Sequence, residues 1–359
     1  MLSFGNYPFT VGSKVLYRDE RIGGQVGYIL TDQPEILMQI PDKIRKCVMF
    51  VGYKEHNGIH KFAGTAFIVL RPIEGITGQG FTYIVTAKHV LDKIRDKFLD
   101  KVYLRANFAD GNAYWVETNI NDWFPHPEDA EVDVAVLPIS LDLKKLDHRV
   151  YSILSFATDE IVKQRHVSLG DEVFLAGLFA RHYGIKRNIP IVRVGNIAAM
   201  PEERVETAYG LIDAYLIEAR SIGGISGSPV FVNLGQIRRA PDGSTALYAG
   251  GVSFYLLGLM HGHWNTSPAK VDAGDEDAIG EERVNMGIAI VVPATKILEV
   301  LNQPMIRKKE KEVEERLRKE QLPTPDSVDD GLTKEGFEEA LQRASRKTSS
   351  LPESESDET

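Results

Sequence analysis

From about residue 43 the chain alternates short apolar runs with turn residues. Cys47 to Val51, Phe62 to Leu70 and Phe81 to Thr86 are apolar stretches of strand length. Between the last two, residues 71–80 hold Pro72, Gly75, Gly78 and Gly80, which reads as a hairpin loop. His89 to Ile94 reads as one turn of helix, placing His89 where a strand hands over to a helix. Val102 to Arg105 and Ala113 to Val116 add strands. Trp123-Phe124-Pro125-His126-Pro127 is a stiff loop with a surface histidine, and it leads to Val132–Leu137, an apolar strand opened by Asp133. About six short strands with turn signals between them predict one closed barrel.

The second half has the same character. Its predicted strands are Glu172 to Gly177, Ile191 to Ile197, Ala214 to Ile217, Pro229 to Val232, Gly250 to Met260 and Gly287 to Val292. Pro293 then opens a helix over 294–301 with Ile297, Leu298 and Leu301 on one face. The expected fold is therefore all-β, two six-stranded antiparallel barrels at about 42–150 and 151–303, with a helix at the end. Residues 1–41 are broken by glycines and read as an arm, with short strands at Val15 to Tyr17 and Gly27 to Leu30. Past Gln303, Arg307 to Glu320 is a charge run on a solvated helix. Residues 331–346 place Phe337, Ala340, Leu341 and Ala344 on one helical face, a candidate docking helix for a protein partner. Residues 347–359 are Ser- and acid-rich and expected to be disordered.

Composition narrows the function classes. At 359 residues, with 43% hydrophobic and 26% charged content, the chain can bury a sizeable core. A net charge of −9 argues against nucleic acid or an anionic membrane as partner. Cys47 is the only cysteine, so no intramolecular disulfide is available, which points to the cytoplasm. Residues 1–18 show no signal-peptide pattern, and no run approaches the roughly 18 apolar residues of a membrane helix.

The chemistry is carried by three stretches. Gly223-Gly224-Ile225-Ser226-Gly227-Ser228-Pro229 brackets a serine with glycines, so the loop can be tight and turn its amides inward. A serine hydroxyl needs a base beside it and donors where negative charge develops. Tyr83 to His89 is an apolar strand ending in the histidine, and Asp133 leads the strand between the two. In these motifs the chain resembles the chymotrypsin/trypsin-fold serine proteases. Thr86-Ala87-Lys88-His89, Asp133-Val134-Ala135-Val136 and Gly224-Ile225-Ser226-Gly227-Ser228-Pro229 match that family's motifs, with serine for glycine at Ser228. The order His, Asp, Ser is also the family's.

The resemblance covers roughly residues 42–303 and implies a serine endopeptidase acting on proteins or peptides without cofactor or metal. In it His89 is the base, Asp133 its partner, Ser226 the nucleophile, and the amides of Gly224 and Ser226 the oxyanion hole. It places Arg220 and Ser221 near the pocket for the substrate side chain. His261 falls just behind the triad, and Gly262 and His263 border the substrate strand. No acid matches the trypsin pocket base, so no Lys/Arg preference is expected. Ile225 cannot pair with a new N-terminus, so no zymogen activation of that kind is expected. His261 and His263 could share a strand face, but the sequence offers no third metal ligand. Glu218 and the missing disulfides look closer to the bacterial HtrA-type (high-temperature-requirement) branch, without its PDZ domain. The competing reading is a latent protease fold serving as a binding scaffold; the intact three-residue set argues against it.

Overall fold

Two antiparallel sheets carry most of the chain from Val48 to Pro293, and the apolar runs above form nearly all of their strands. In this computed structural model the described residues are 9–11, 14–19, 27–31, 40–76, 78–142, 144–207, 209–219, 224–235, 237–239, 243–247, 254–266 and 284–321. The chain divides into two compact units, residues 1–303 and 304–359.

The first sheet runs in the order Ala113–Asn119, Lys101–Asn107, Val48–Lys54, His60–Pro72, Gly80–Thr86, Ala135–Pro138 and Phe124–Pro125, with Tyr151–Ser152 added in parallel to His60–Pro72. The predicted hairpin is present, Pro72 facing Gly80 in register. The closed six-stranded barrel expected here is not what forms: this is an eight-stranded sheet whose end strands do not pair with each other. One end strand is only two residues long, and its Pro125 has no N–H with which to extend the ladder. The strand expected from Val132 is also shorter, Ala135–Pro138, so Asp133 precedes the strand rather than lying in it.

The second half does close. Glu172–Gly177, Ile191–Ala199, Tyr215–Glu218, Val284–Pro293, Phe254–Thr266 and Pro229–Asn233 form a six-stranded barrel, the last pairing back to the first. Alternate residues point inward, so Val173 and Leu175 share the core with Ile217, Val230, Val232, Leu257 and Val291. Burying each such side chain is worth about 1.5–3 kcal/mol. The expected final helix is Ala294–Leu301. It buries Ala294, Ile297, Val300 and Leu301 and packs on strands of both sheets, Phe254–Thr266 and Ala135–Pro138.

The two halves are also clasped on another side. Arg105, in the first sheet, is buried and donates to the carbonyls of Gly184 (2.9 Å) and Ile185 (2.6 Å) and to Asn188 Oδ1 (2.9 Å). Asn188 returns a bond from Nδ2 to the Arg105 carbonyl (2.5 Å). A buried guanidinium is tolerated because its donors are met and its plane lies over the Tyr183 ring, 5.3 Å from the centroid.

Among the described elements, several escaped the hydrophobic pattern. They include the helix Asp159–Gln164, capped by Thr158, the short helix Asp42–Lys46 and the strand Tyr151–Ser152. They also include the hairpins Val205–Thr207/Gly210–Ile212 and Ile237–Arg239/Thr245–Leu247. Near the start, Phe9–Val11, Lys14–Asp19 and Gly27–Thr31 form a three-stranded sheet. The second unit contains the helix Pro304–Gln321, which includes the predicted charge run. The helix expected at 331–346, the tail at 347–359 and Gly250 to Ser253 lie outside the described residues.

Candidate active site

Strand register brings the histidine and the aspartate together. Gly80–Thr86 pairs with Ala135–Pro138 so that Thr86 faces Ala135. The chain leaves Thr86 into the helix Lys88–Arg95, with His89 in its first turn, and Asp133 sits two residues before Ala135. The result is a two-point contact. His89 Nδ1 lies 2.7 Å from Asp133 Oδ2, and the His89 backbone N–H donates to Oδ1 at 2.8 Å. Both residues are buried, each 3% exposed. An ionised carboxylate only accepts, so Nδ1 carries the hydrogen; in the neutral ring Nε2 then keeps its lone pair.

A second histidine shares that carboxylate. His261 Nδ1 lies 2.5 Å from Asp133 Oδ2. Burial alone would push the Asp133 carboxyl upward; the hydrogen bonds from His261 and His89 overcome it and hold the group below the ordinary carboxylate range. The residue placed behind the triad by the resemblance is thus a direct partner of the aspartate. Among the described residues nothing lies within 4 Å of a Cβ built on Gly262, and His263 is half-buried. Arg220 and Ser221 lie outside the described residues. His126, expected at the surface, has its ring buried against Glu299, Nε2 to Oε2 2.8 Å.

The serine loop is pinned to the first sheet by Thr65, which the sequence did not single out. Its N–H donates to the Ser226 carbonyl (2.9 Å) and its hydroxyl to the Gly224 carbonyl (2.8 Å). The same hydroxyl accepts from the Leu178 N–H (3.0 Å), while Thr86 Oγ1 donates to the Thr65 carbonyl (2.7 Å). One buried threonine therefore joins the loop, the histidine-bearing strand and the residue that follows the first strand of the closed barrel. Nothing in a Gly64-Thr65 pair within an apolar strand announces that role.

Gly227 is required by this contact. Its φ is +84°, and a Cβ there would lie 2.2 Å from the Thr65 carbonyl oxygen and 3.0 Å from the Ala87 nitrogen, two residues before His89. Gly227→Ala is expected to destabilise the fold by about 3 kcal/mol or more, from the left-handed backbone and from overpacking. Denaturant unfolding of the two proteins measures it. Gly224 also has positive φ, +102°. Among the described residues the amides of Gly224 and Ser226 donate to no acceptor. The His89 N–H and Nδ1 both go to Asp133, and among the described residues no hydrogen bond joins the ring to the Ser226 hydroxyl. Such contacts are commonly long before substrate binds.

Tyr209 is a further neighbour that sequence reasoning missed. Its ring stacks on the His89 imidazole, centroids 5.0 Å apart and planes at 17°, and meets His261 edge-on at 5.5 Å. A tyrosine in a short polar turn carries no signal of this.

The sequence offered no third ligand beside His261 and His263, yet His89, Asp133 and His261 place ligand-type atoms within 4.8 Å of one another. Their closest separations, 2.7 and 2.5 Å, are those of hydrogen bonds. They are tighter than the roughly 3.3 Å between donors that share a tetrahedral zinc at ~2.0 Å. The cluster is therefore read as hydrogen-bonded.

No family model and no curated protein matches the sequence. The solved structures that match the chain include protease domains. The MamO protease domain from Magnetospirillum magneticum (apo form) has 16% identity, covers 73% of this chain and 98% of its own, and has a TM-score of 0.42. The Rv3671c protease from M. tuberculosis, in its active form, has 17% identity, coverage of 72% and 81%, and a TM-score of 0.39. Its inactive form gives 17% identity, 72% and 89%, and 0.39. Among the described residues no helix is long and apolar enough to cross a membrane.

Proposed function

We propose that the chain is a serine endopeptidase that cuts peptide bonds through an acyl-enzyme. The observation that carries this reading is the buried His89–Asp133 pair, with Nε2 bonded to nothing among the described residues, beside a loop that presents Ser226 between glycines. Ser226 Oγ attacks the carbonyl carbon while His89 Nε2 takes its proton. Asp133 holds the ring in the tautomer that can accept, and stabilises it once charged. The unbonded amides of Gly224 and Ser226 would receive the oxyanion. The proton then passes from His89 to the leaving amine, and water releases the acyl group by the same route.

The proposal takes residues 42–303 as the protease module, preceded by an arm and followed by a charged, solvated tail, with docking of a protein partner by its 331–346 segment as the alternative. Substrate is protein or peptide. The cytoplasm, and a place near the disulfide-free bacterial branch of the family, rest on the single cysteine Cys47, which is buried as a free thiol.

A second reading, a latent protease fold used as a scaffold, is favoured by one observation: the Ser226 hydroxyl makes no hydrogen bond to His89. A fluorophosphonate probe separates the two readings. Covalent addition to the wild type and none to Ser226→Ala, read by intact mass, is the expected result. A folded wild type that stays unlabelled, including after removal of residues 1–41, overturns the enzyme reading in favour of the scaffold.

A further inference from the structure

We propose that Tyr209 is a third partner of the catalytic base: its ring face stabilises the His89 imidazolium that forms during proton transfer. The inference rests on the serine protease reading above, and it assigns part of the rate to a residue outside the triad.

The geometry is that of a cation held against an aromatic face. The two rings lie 5.0 Å apart, centroid to centroid, and within 17° of parallel. A cation within about 6 Å of a ring centroid is attracted by the negative face of the ring. Against a neutral imidazole the stack is a dispersion contact. When Ser226 Oγ bonds to the substrate carbon, the carbonyl π pair moves to oxygen and the hydroxyl proton moves to Nε2. The ring then carries a full positive charge. Asp133 faces that charge at the ring edge through Nδ1, and Tyr209 covers the ring plane. His261 meets both rings edge-on, at 5.3 Å from His89 and 5.5 Å from Tyr209. The interaction grows as charge develops, so it lowers the barrier rather than tightening substrate binding.

Tyr209 is also held in place on purpose-built local structure. It sits at the turn of the Val205–Thr207/Gly210–Ile212 hairpin, where its N–H donates to Thr207 Oγ1 (3.1 Å) and that hydroxyl donates to the Gly210 carbonyl (2.9 Å). Gly210, at φ +123°, lies so close to Glu131 that a Cβ would meet its carboxyl carbon at 2.8 Å. At the foot of the hairpin Arg204 bonds Asp129 (2.5 Å) and reaches Glu131 (3.7 Å) and Asp213 (3.6 Å). The hairpin is thus tied to the segment that leads into Asp133. Tyr209 is 46% exposed against 3% for His89, so it lies on the solvent side of the base, and its ring covers that face from water. That screening strengthens the attraction.

The test compares Tyr209→Phe and Tyr209→Leu with the wild type. Phe keeps the ring face; Leu keeps apolar bulk without it. Because the side chain is half-exposed, both variants are expected to fold, which thermal unfolding checks. For Leu the expected result is a three- to thirtyfold loss in kcat and in the fluorophosphonate labelling rate, with KM unchanged. Phe should stay within about twofold of the wild type. Proton NMR reads the stack independently of activity: the His89 ring protons should lose their upfield ring-current displacement in Leu and keep it in Phe. Equal rates for Leu and the wild type overturn the inference, as does a loss confined to KM. His89 ring shifts unchanged in Leu overturn the stack itself. A wild type that neither labels nor hydrolyses peptides removes the serine reading and this inference with it, a result the ring shifts do not imitate.

Discussion

Ser226→Ala is expected to lower peptide hydrolysis by about 10⁶ in turnover while leaving the fold intact. The size follows from what the serine does. Without Oγ no acyl-enzyme forms, and water must attack the carbonyl directly from a site shaped for another nucleophile. The residual rate over water, about 10³–10⁴, would come from the amides of Gly224 and Ser226 and from binding. Folding is spared because the contacts that anchor the loop are made by backbone: Thr65 holds the Ser226 and Gly224 carbonyls, and the Gly227 N–H donates to the Met260 carbonyl at 2.7 Å. Ala at 226 keeps all three. The check is turnover of a quenched-fluorescence peptide mixture beside far-UV circular dichroism and a melting curve. Near-normal turnover in a folded variant would end the assignment of the nucleophile. A variant that melts far below the wild type would show that the hydroxyl has a structural partner as well.

The sequence made some of this legible and hid the rest, for physical reasons. Apolar runs of strand length mark strands because one face must be buried, and they located both sheets and the helix Ala294–Leu301. They do not report closure. Whether the ends of the first sheet meet depends on pairing at Phe124–Pro125, a two-residue contact with no hydrophobic signature. The short hairpin at 205–212 escaped because three-residue strands carry too few positions to show alternation, and Tyr209 escaped with it. Three candidate site residues were visible because the chemistry proposed for them is tied to neighbours in the chain: glycines around Ser226, a strand end at His89, an apolar run opened by Asp133. Thr65 and Tyr209 were invisible because their roles arise from contacts between segments far apart in the chain. His261 shows both limits. Its position was legible through the resemblance, but its bond to Asp133 follows from strand pairing, with bulges in the Phe254–Thr266 strand on either side of Gly262 and His263.

Asp133→Asn is expected to cost about 10⁴ in turnover. The carboxylate accepts three hydrogen bonds, from the His89 N–H, His89 Nδ1 and His261 Nδ1, in a site 3% exposed. An amide of the same shape has one accepting oxygen and one donating nitrogen. Turned one way it faces its NH₂ toward both Nδ1 atoms, so His89 must carry its hydrogen on Nε2 and can no longer take the serine proton. Turned the other way it clashes with the His89 N–H. Either way the imidazolium loses its counter-charge. Stability should change with pH in a way that tests the same bonds. The Asp133 carboxyl is held low in the folded chain, so its ionised form stabilises the fold above the unfolded value of about 3.9 and that share fades as pH falls below it. The stability gap between wild type and Asp133→Asn should therefore be full at pH 6–7 and narrow steadily toward pH 3. Urea unfolding at several pH values measures it. A gap that stays constant down to pH 3 would mean that Asp133 is not ionised against the two histidines, and the tautomer argument for His89 would fall with it.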